Sequence, residues 1–448
     1  MTSETGTMTK EAIRMAWPAV LESFFVALAG MIDTMMVAQL GSAAVSSIGL
    51  TTQPKFIGLC PFMALNMAVS AFVARRKGEG RKDNANETLL TAILTLLVLC
   101  IVISLLCQAV ADPVMRLAGS NEETHEGAVI YFRIIMGGTI FNVVQMMFNA
   151  AQRGSGNTRI SMITNVASST TNVVFNYLLI GGHFGFPALG VRGAALATVL
   201  GTVVGAVMSI LSLFRKKSYV SIPFIVREKI RCTMETVRRI LKFSSNILVE
   251  NLAMRVGFLA TALLAARLGT DQFAAHNVGM NLLGLAFSFA DGMQAAGVAL
   301  SGQALGAGKK EQAKMYVAIC QRIGLFISFV LAVLLFFGGR TFYSLYFDEE
   351  HIIGYGVIIT RYIMVIVLLQ ISQIIYGACL RAAGDVRYTL AASLISVTVI
   401  RTAATFVLTT VLGLGLHGIW LGVFADQFTR YILMSTRFRS GKWMDIRI

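Results

Sequence analysis

The sequence predicts an all-α integral membrane protein of twelve transmembrane helices arranged as two parallel six-helix repeats. Three observations carry this: an apolar composition, long uncharged runs, and the similarity of the chain to itself at a fixed shift. Of 448 residues, 56% are hydrophobic and only 14% charged, too little charge to cover a surface facing water. Runs such as Leu89 to Ala109, Ile323 to Phe337 and Ala391 to Leu412 carry almost no charge. Their length is on the order of the 20 residues that take a helix across hydrocarbon. The runs are unbroken, whereas barrel strands alternate apolar and polar residues over short segments.

Breaking the chain at polar and Gly/Pro-rich stretches places spans near residues 27, 60, 100, 140, 171, 203, 253, 288, 327, 367, 400 and 426. Met1 to Thr9 is polar and leads into an apolar segment longer than a signal-peptide core, so the first span is expected to be retained. The formal charge of +15 reports topology. With the N-terminus inside, the inner segments hold 27 of the 38 Lys and Arg and the outer loops four (Arg116, Arg192, Arg267, Arg340). This asymmetry places both termini in the cytoplasm of a cell (plasma or inner) membrane. The basic residues face anionic headgroups without aromatic interleaving or a binding motif, so no nucleic-acid partner is expected. Cys60, Cys100, Cys107, Cys232, Cys320 and Cys379 show no C-x-x-C pair and no His at ligand spacing, so they read as buried fillers, with no metal site and no cofactor.

A shift of 228 residues lays Glu22 on Glu250, Gln39-Leu40-Gly41 on Arg267-Leu268-Gly269, and Gly78-Glu79-Gly80 on Gly306-Ala307-Gly308. The same shift lays Arg153-Gly154-Ser155-Gly156-Asn157 on Arg381-Ala382-Ala383-Gly384-Asp385. A change of three residues then brings Leu189 to Gly193 onto Leu414 to Gly418. Six spans return the chain to its starting side, so the halves are parallel copies about an axis along the membrane normal, a transporter arrangement. The expected division is an N-lobe over residues 1–214 (spans one to six), a basic linker over 215–242, and a C-lobe over 243–448 (spans seven to twelve). In the linker Val237, Ile240 and Leu241 alternate with Arg238, Arg239 and Lys242, which predicts an amphipathic surface helix.

Asn172 to Gly181 (NVVFNYLLIG), followed by Phe186 to Thr198 (FPALGVRGAALAT), resembles the multidrug and toxic compound extrusion (MATE) family, in its bacterial DinF/NorM-like branch. So do Asp33-Thr34, Gly302 to Gly308 and Leu380 to Asp385, and the resemblance covers essentially the whole chain. It implies a V-shaped pair of six-helix lobes that exports organic cations or drugs by alternating access against an inward H⁺ or Na⁺ gradient. Asp33, Asn172 and Asn176 match the positions of the N-lobe cation site in such proteins. Many members carry Asp where this chain has Asn176, and the NorM-like helix-10 acid falls on Gln370, beside a matching helix-7 acid at Glu250. Both Na⁺ sites are therefore incomplete, and a proton, which needs fewer ligands, is the expected coupling ion.

An ionisable group at membrane depth costs a few kcal/mol or more, so each one is a functional candidate. Asp33 and Lys55 fall at broadly similar depths, where they could pair; Lys55 and Gln53 are candidates for a substrate-binding charge network, and Pro54 beside Lys55 removes a backbone donor where helix 2 could bend. Glu22 lies eleven residues before Asp33 on the same helix face, about 16 Å away. It reads either as a second proton stop or as a carboxylate capped by neighbours such as Ser23. In the C-lobe Glu250, Asp291 and Asp426 stand against Arg255, Arg361 and Arg401, either a static ion-pair lock or a switch. His276 suits proton relay by its ordinary pKa or is a hydrogen-bonded filler. The 22 Met and 28 Phe offer an adaptable wall for flat apolar cations, mixed with residues that merely pack or face lipid.

The expected function is therefore a secondary antiporter of drug-like amphipathic cations, H⁺-coupled rather than Na⁺-coupled, embedded in lipid as a monomer, with Asp33 as the coupling carboxylate. The alternative is an exporter of organic anions or lipid-linked substrates of the same superfamily, using the intramembrane Arg and Lys residues. An enzyme is not expected, because H-E-x-x-H, G-x-S-x-G and a phosphate loop are absent.

Overall fold

The structure, a computed structural model, describes residues 3–215 and 218–446; Lys216 and Lys217 of the expected linker lie outside them. The described residues are mostly helical, and none of them forms a strand. The first repeat contains α1 (Ser3–Ala38), α2 (Ser42–Gly78), α3 (Lys82–Leu117), α4 (His125–Gly137), α5 (Thr139–Gly154), α6 (Thr158–Gly181) and α7 (Val191–Leu213). After a short α8 (Ile222–Arg227), the second contains α9 (Met234–Ala266), α10 (Thr270–Gly306), α11 (Lys310–Ser344), α12 (Glu350–Ala383), α13 (Val386–Ser393), α14 (Thr402–Phe406) and α15 (Gly415–Arg439). α13 and α14 belong to one span, joined and continued by π-helical turns at Leu394–Arg401 and Val407–Val411.

Nine described helices are long and apolar enough to cross a membrane, and α4 with α5 makes a tenth, bent by 47°. The other two expected spans are α6 and α15, with 24 and 25 residues but more polar sequence. Large apolar side chains stand outward, including Val98 (64% exposed) and Leu105 (66%) on α3 and Phe326 (69%) on α11. In water such a surface would aggregate; here lipid covers it.

The repeat is written into the backbone. α2 and α10 each have 37 residues and start 228 positions apart. The left-handed glycines recur in pairs: Gly41 with Gly269, Gly80 with Gly308, Gly156 with Gly384, Gly190 with Gly415. Each closes a turn in a conformation that a Cβ disfavours, which is why the sequence signal concentrates in loops. The copies diverge at the fourth span. Gly137-Gly138 breaks the first copy, while the second has Val365-Ile366 at that place and runs straight as α12.

By internal contacts the chain forms two units, Leu21–Ser245 (the N-unit) and Met1–Val20 with Asn246–Ile448 (the C-unit). The boundaries fall inside α1 and α9. Residues 215–242 are not one amphipathic helix: Pro223 opens the six-residue α8, a non-helical stretch follows, and only Met234 onward is helical, as the start of α9. α2 likewise continues unbroken through Pro54.

Candidate functional site

Four groups of charged side chains within the spans bear on function, two in each unit. In the N-unit, Asp33 on α1 accepts a hydrogen bond from Asn176 Nδ2 on α6. Asn176 is fully buried and its own Oδ1 has no partner among the described residues. One turn earlier Asn172 donates to Thr198 on α7 (3.2 Å). Tyr131 on α4 adjoins Thr198 and lies within electrostatic reach of Asp33. Lys55 does not form an ion pair with Asp33. It acts on Asp33 electrostatically but stands beyond ion-pair distance among the described residues, and Gln53 is exposed.

The motif at residues 186–198 explains how α6 and α7 hold this group. Gly182 caps α6 in a left-handed turn (φ 72°), and Leu189 N–H donates back to the Leu179 carbonyl (2.8 Å). A Cβ at Gly193 would stand 2.4 Å from that same carbonyl oxygen, and one at Gly201 would stand 2.6 Å from the Ser168 oxygen and 3.0 Å from Asn172. The small residues let α7 approach α6 closely enough for Thr198 to reach Asn172. Gly193→Val is expected to cost about 1–3 kcal/mol through overpacking against backbone, read as a lowered thermal midpoint in detergent.

Elsewhere in the N-unit Glu22 is bound by Arg153. Its Oε1 accepts from Arg153 Nη1 (3.1 Å), Ser161 Oγ (3.1 Å) and Asn165 Nδ2 (2.5 Å). The capping hydroxyl is Ser161, not the adjacent Ser23. The C-unit repeats the arrangement at the 228-residue shift: Glu250 accepts from Arg381 (3.2 Å), Thr389 (3.4 Å) and Ser393 (2.8 Å). All four members recur, with Thr389 for Ser161 and Ser393 for Asn165.

The fourth group is Asp426 with Arg401 and Arg430. Arg430 Nη2 contacts both Asp426 oxygens (2.8 and 3.2 Å), and Arg401 Nη1 reaches one of them (3.4 Å). Arg401 Nε donates to Thr261 (2.9 Å), and its guanidinium lies over Phe258 (4.7 Å). The single six-member network expected in the C-lobe is thus two separate groups, because helical phase turns Glu250 toward Arg381 and Asp426 toward Arg401 and Arg430. Arg361 is exposed and joins neither. Asp291 accepts from Gln294 (3.0 Å), which in turn accepts from Arg381, and Arg255 is half-buried. Gln370 is buried but does not join Glu250, and His276 is buried with an unpartnered Nδ1 beside Trp420.

A model of the MatE family matches residues 18–178 and again residues 247–407. The chain belongs to the MatE family. The two matches coincide with the two repeats, and this is a family of transporters rather than enzymes. The MatE chain is 27% identical over 442 residues, 98% of its length and 94% of the relative's, to a probable multidrug resistance protein NorM of Thermotoga maritima. It is 23% identical over 96% of its length, and 94% of the relative's, to an uncharacterized transporter, YisQ, of Bacillus subtilis. Among solved structures, an outward-facing multidrug resistance MATE family transporter of the MOP superfamily aligns over 97% of each chain with a TM-score of 0.89 at 22% identity. A MATE crystal structure in the bent conformation covers 99% of each chain with a TM-score of 0.87, also at 22% identity. These likenesses establish the fold.

Proposed function

We propose that this MatE chain is a proton-coupled antiporter that exports amphipathic organic cations, with Asp33 as the coupling carboxylate and both termini in the cytoplasm. One observation carries the assignment of Asp33. Glu22, Glu250 and Asp426 are each held by at least one arginine, whereas Asp33 has only the amide of Asn176 and no ion-pair partner among the described residues. A carboxylate locked to a guanidinium resists protonation, because the arginine is left uncompensated when the acid is neutralised. An acid with a neutral amide partner takes and releases a proton without that penalty. Proton rather than Na⁺ coupling is supported by the amide at position 176, which removes one of the charged oxygens that a cation of that size uses.

Drug-like cargo is supported by the names of relatives over nearly the full chain, probable multidrug resistance proteins, and cationic cargo by the Met- and Phe-rich composition, which suits flat apolar cations. The termini are assigned by the concentration of Lys and Arg on one side of the spans. The test is purified protein in liposomes, with pH and Na⁺ gradients imposed separately while a cationic dye is followed. Dye movement driven by the pH gradient alone is the expected result. Movement that requires Na⁺, or that favours organic acids over dyes, would overturn the reading.

A further inference from the structure

The packing of the last two spans differs between the repeats in a way that the coupling reading does not use. In the N-unit, Gly193, Ala197, Gly201 and Gly205 form a ladder along α7 at four-residue spacing; Gly193 and Gly201 close on α6, and Gly205 closes on Gln145. The equivalent positions on α15 are Gly418, Gly422, Asp426 and Arg430. Gly418 meets Thr409, Gly422 meets Thr405, Asp426 meets Arg401, and Arg430 meets Ser396. The C-unit therefore keeps two small rungs and replaces two with charge. Opposite Asp33 the same unit has Thr261, which accepts from Arg401. An acid and an amide in one copy correspond to a hydroxyl and a guanidinium in the other.

The charge does not balance. Two arginines share one carboxylate, and all three side chains are at most 8% exposed. Arg430 takes both oxygens of Asp426 and leaves Arg401 a single long contact. Glu250 does not make up the difference, because it is held by Arg381. Thr261 and the Phe258 ring are neutral. Arg401 is thus a buried cation with little compensation, an arrangement that costs several kcal/mol unless an anion accompanies it.

A second observation is independent of that balance. Thr405, fully buried and one turn along the same span from Arg401, has a hydroxyl without a partner among the described residues. It stands over Gly422, where an added Cβ would come within 2.0 Å of its oxygen. On the lobe interior His276 Nδ1 and Trp420 Nε1 are also unpartnered, their rings 5.6 Å apart, with His276 in electrostatic reach of Arg401. Buried donors are almost always satisfied. A hydroxyl and an indole N–H without acceptors, in a region of surplus positive charge, describe a shortage of negative acceptor atoms.

We propose that the Arg401–Thr405 region of the C-unit is a binding site for a small monovalent anion, a halide or a carboxylate group. Arg401 supplies the charge and Thr405 donates one hydrogen bond. Asp426 and Arg430 orient the guanidinium, and Thr261 fixes its Nε. A single surplus charge selects monovalent over divalent anions. Chloride in solution and a carboxylate carried by a cargo molecule share this chemistry.

The test uses the full chain purified in detergent, without cargo. Thermal unfolding is followed as sodium chloride, and separately sodium formate, replaces sodium methanesulfonate, whose anion is neither halide nor carboxylate, at constant ionic strength and pH. A ligand that binds only the folded protein raises its midpoint in a saturable manner. The expected result is a saturable rise with chloride or formate. Thr405→Val should shift half-saturation upward by about tenfold or more, the loss of one hydrogen bond to a charged group. Arg401→Gln should remove the response. A rise with formate alone would assign the site to carboxylate groups and a rise with chloride to halide. A flat response to both anions would overturn the proposal, as would the same half-saturation in Thr405→Val as in the unaltered chain. Thr405→Val preserves side-chain shape and every ion pair, so it decides the matter even where Arg401→Gln does not fold.

Discussion

Asp33→Asn is expected to reduce proton-driven dye movement to the level of protein-free liposomes while leaving membrane insertion and thermal stability nearly unchanged. The substitution keeps the shape of the side chain and an oxygen that accepts from Asn176, so the packing of α1 against α6 is preserved. What is lost is an intramembrane acid whose described partner is a neutral amide that no arginine holds, unlike Gln294 beside Asp291, which is tied to Arg381. The stability change is expected within about 0.5 kcal/mol, which separates a transport defect from a folding defect. Asp33→Glu should retain partial activity, because the titrating group is still present although displaced. Gradient-driven transport at an undiminished rate in Asp33→Asn would remove Asp33 from the mechanism.

The second large effect concerns the duplicated ion pairs. Arg153→Met leaves Glu22 buried without its guanidinium, and Arg381→Met does the same to Glu250; the acids retain only 11% and 4% side-chain exposure. Removing one member of a buried pair costs about 3–5 kcal/mol, chiefly from the uncompensated partner. Glu22→Gln combined with Arg153→Met, and Glu250→Gln combined with Arg381→Met, are expected to recover most of that loss, since two neutral groups need no compensation. The measurement is a double-mutant cycle on thermal midpoints in detergent for each unit. Strict additivity in both cycles would show that the pairs do not couple energetically.

The spans, the repeat and the turn glycines are legible because each is a local signal: an apolar length, a motif that recurs, a loop position that needs a left-handed residue. The break in the fourth span is equally local, two adjacent glycines with Val365-Ile366 at the equivalent place, although hydropathy alone passes over it. Partnerships are harder. Glu22 and Glu250 align at one shift, and so do Arg153 and Arg381, yet alignment says that two positions are equivalent, not that they touch across 131 residues. Arg153 and Arg381 also read naturally as the inner-loop charges that set topology. Arg430 carried a usable sign, its four-residue spacing from Asp426 on one helix face. Tyr131 carried none, since a tyrosine in an apolar run looks like any packing residue. The π-helical turns around Arg401 have no evident signature either, and they alter the helical phase from which side-chain direction is extrapolated.

The twin carboxylate–arginine pairs also constrain where vectorial behaviour can originate. A device built twice from the same groups, in the same order, at the same positions answers a proton or a change of salt alike in both halves of the chain. It gives neither half an identity. Any preference for one direction must therefore reside in positions that the duplication has not preserved, among them the Gly137-Gly138 break, Asp33 facing an amide where its counterpart Thr261 faces a guanidinium, and two glycine rungs exchanged for a charged pair.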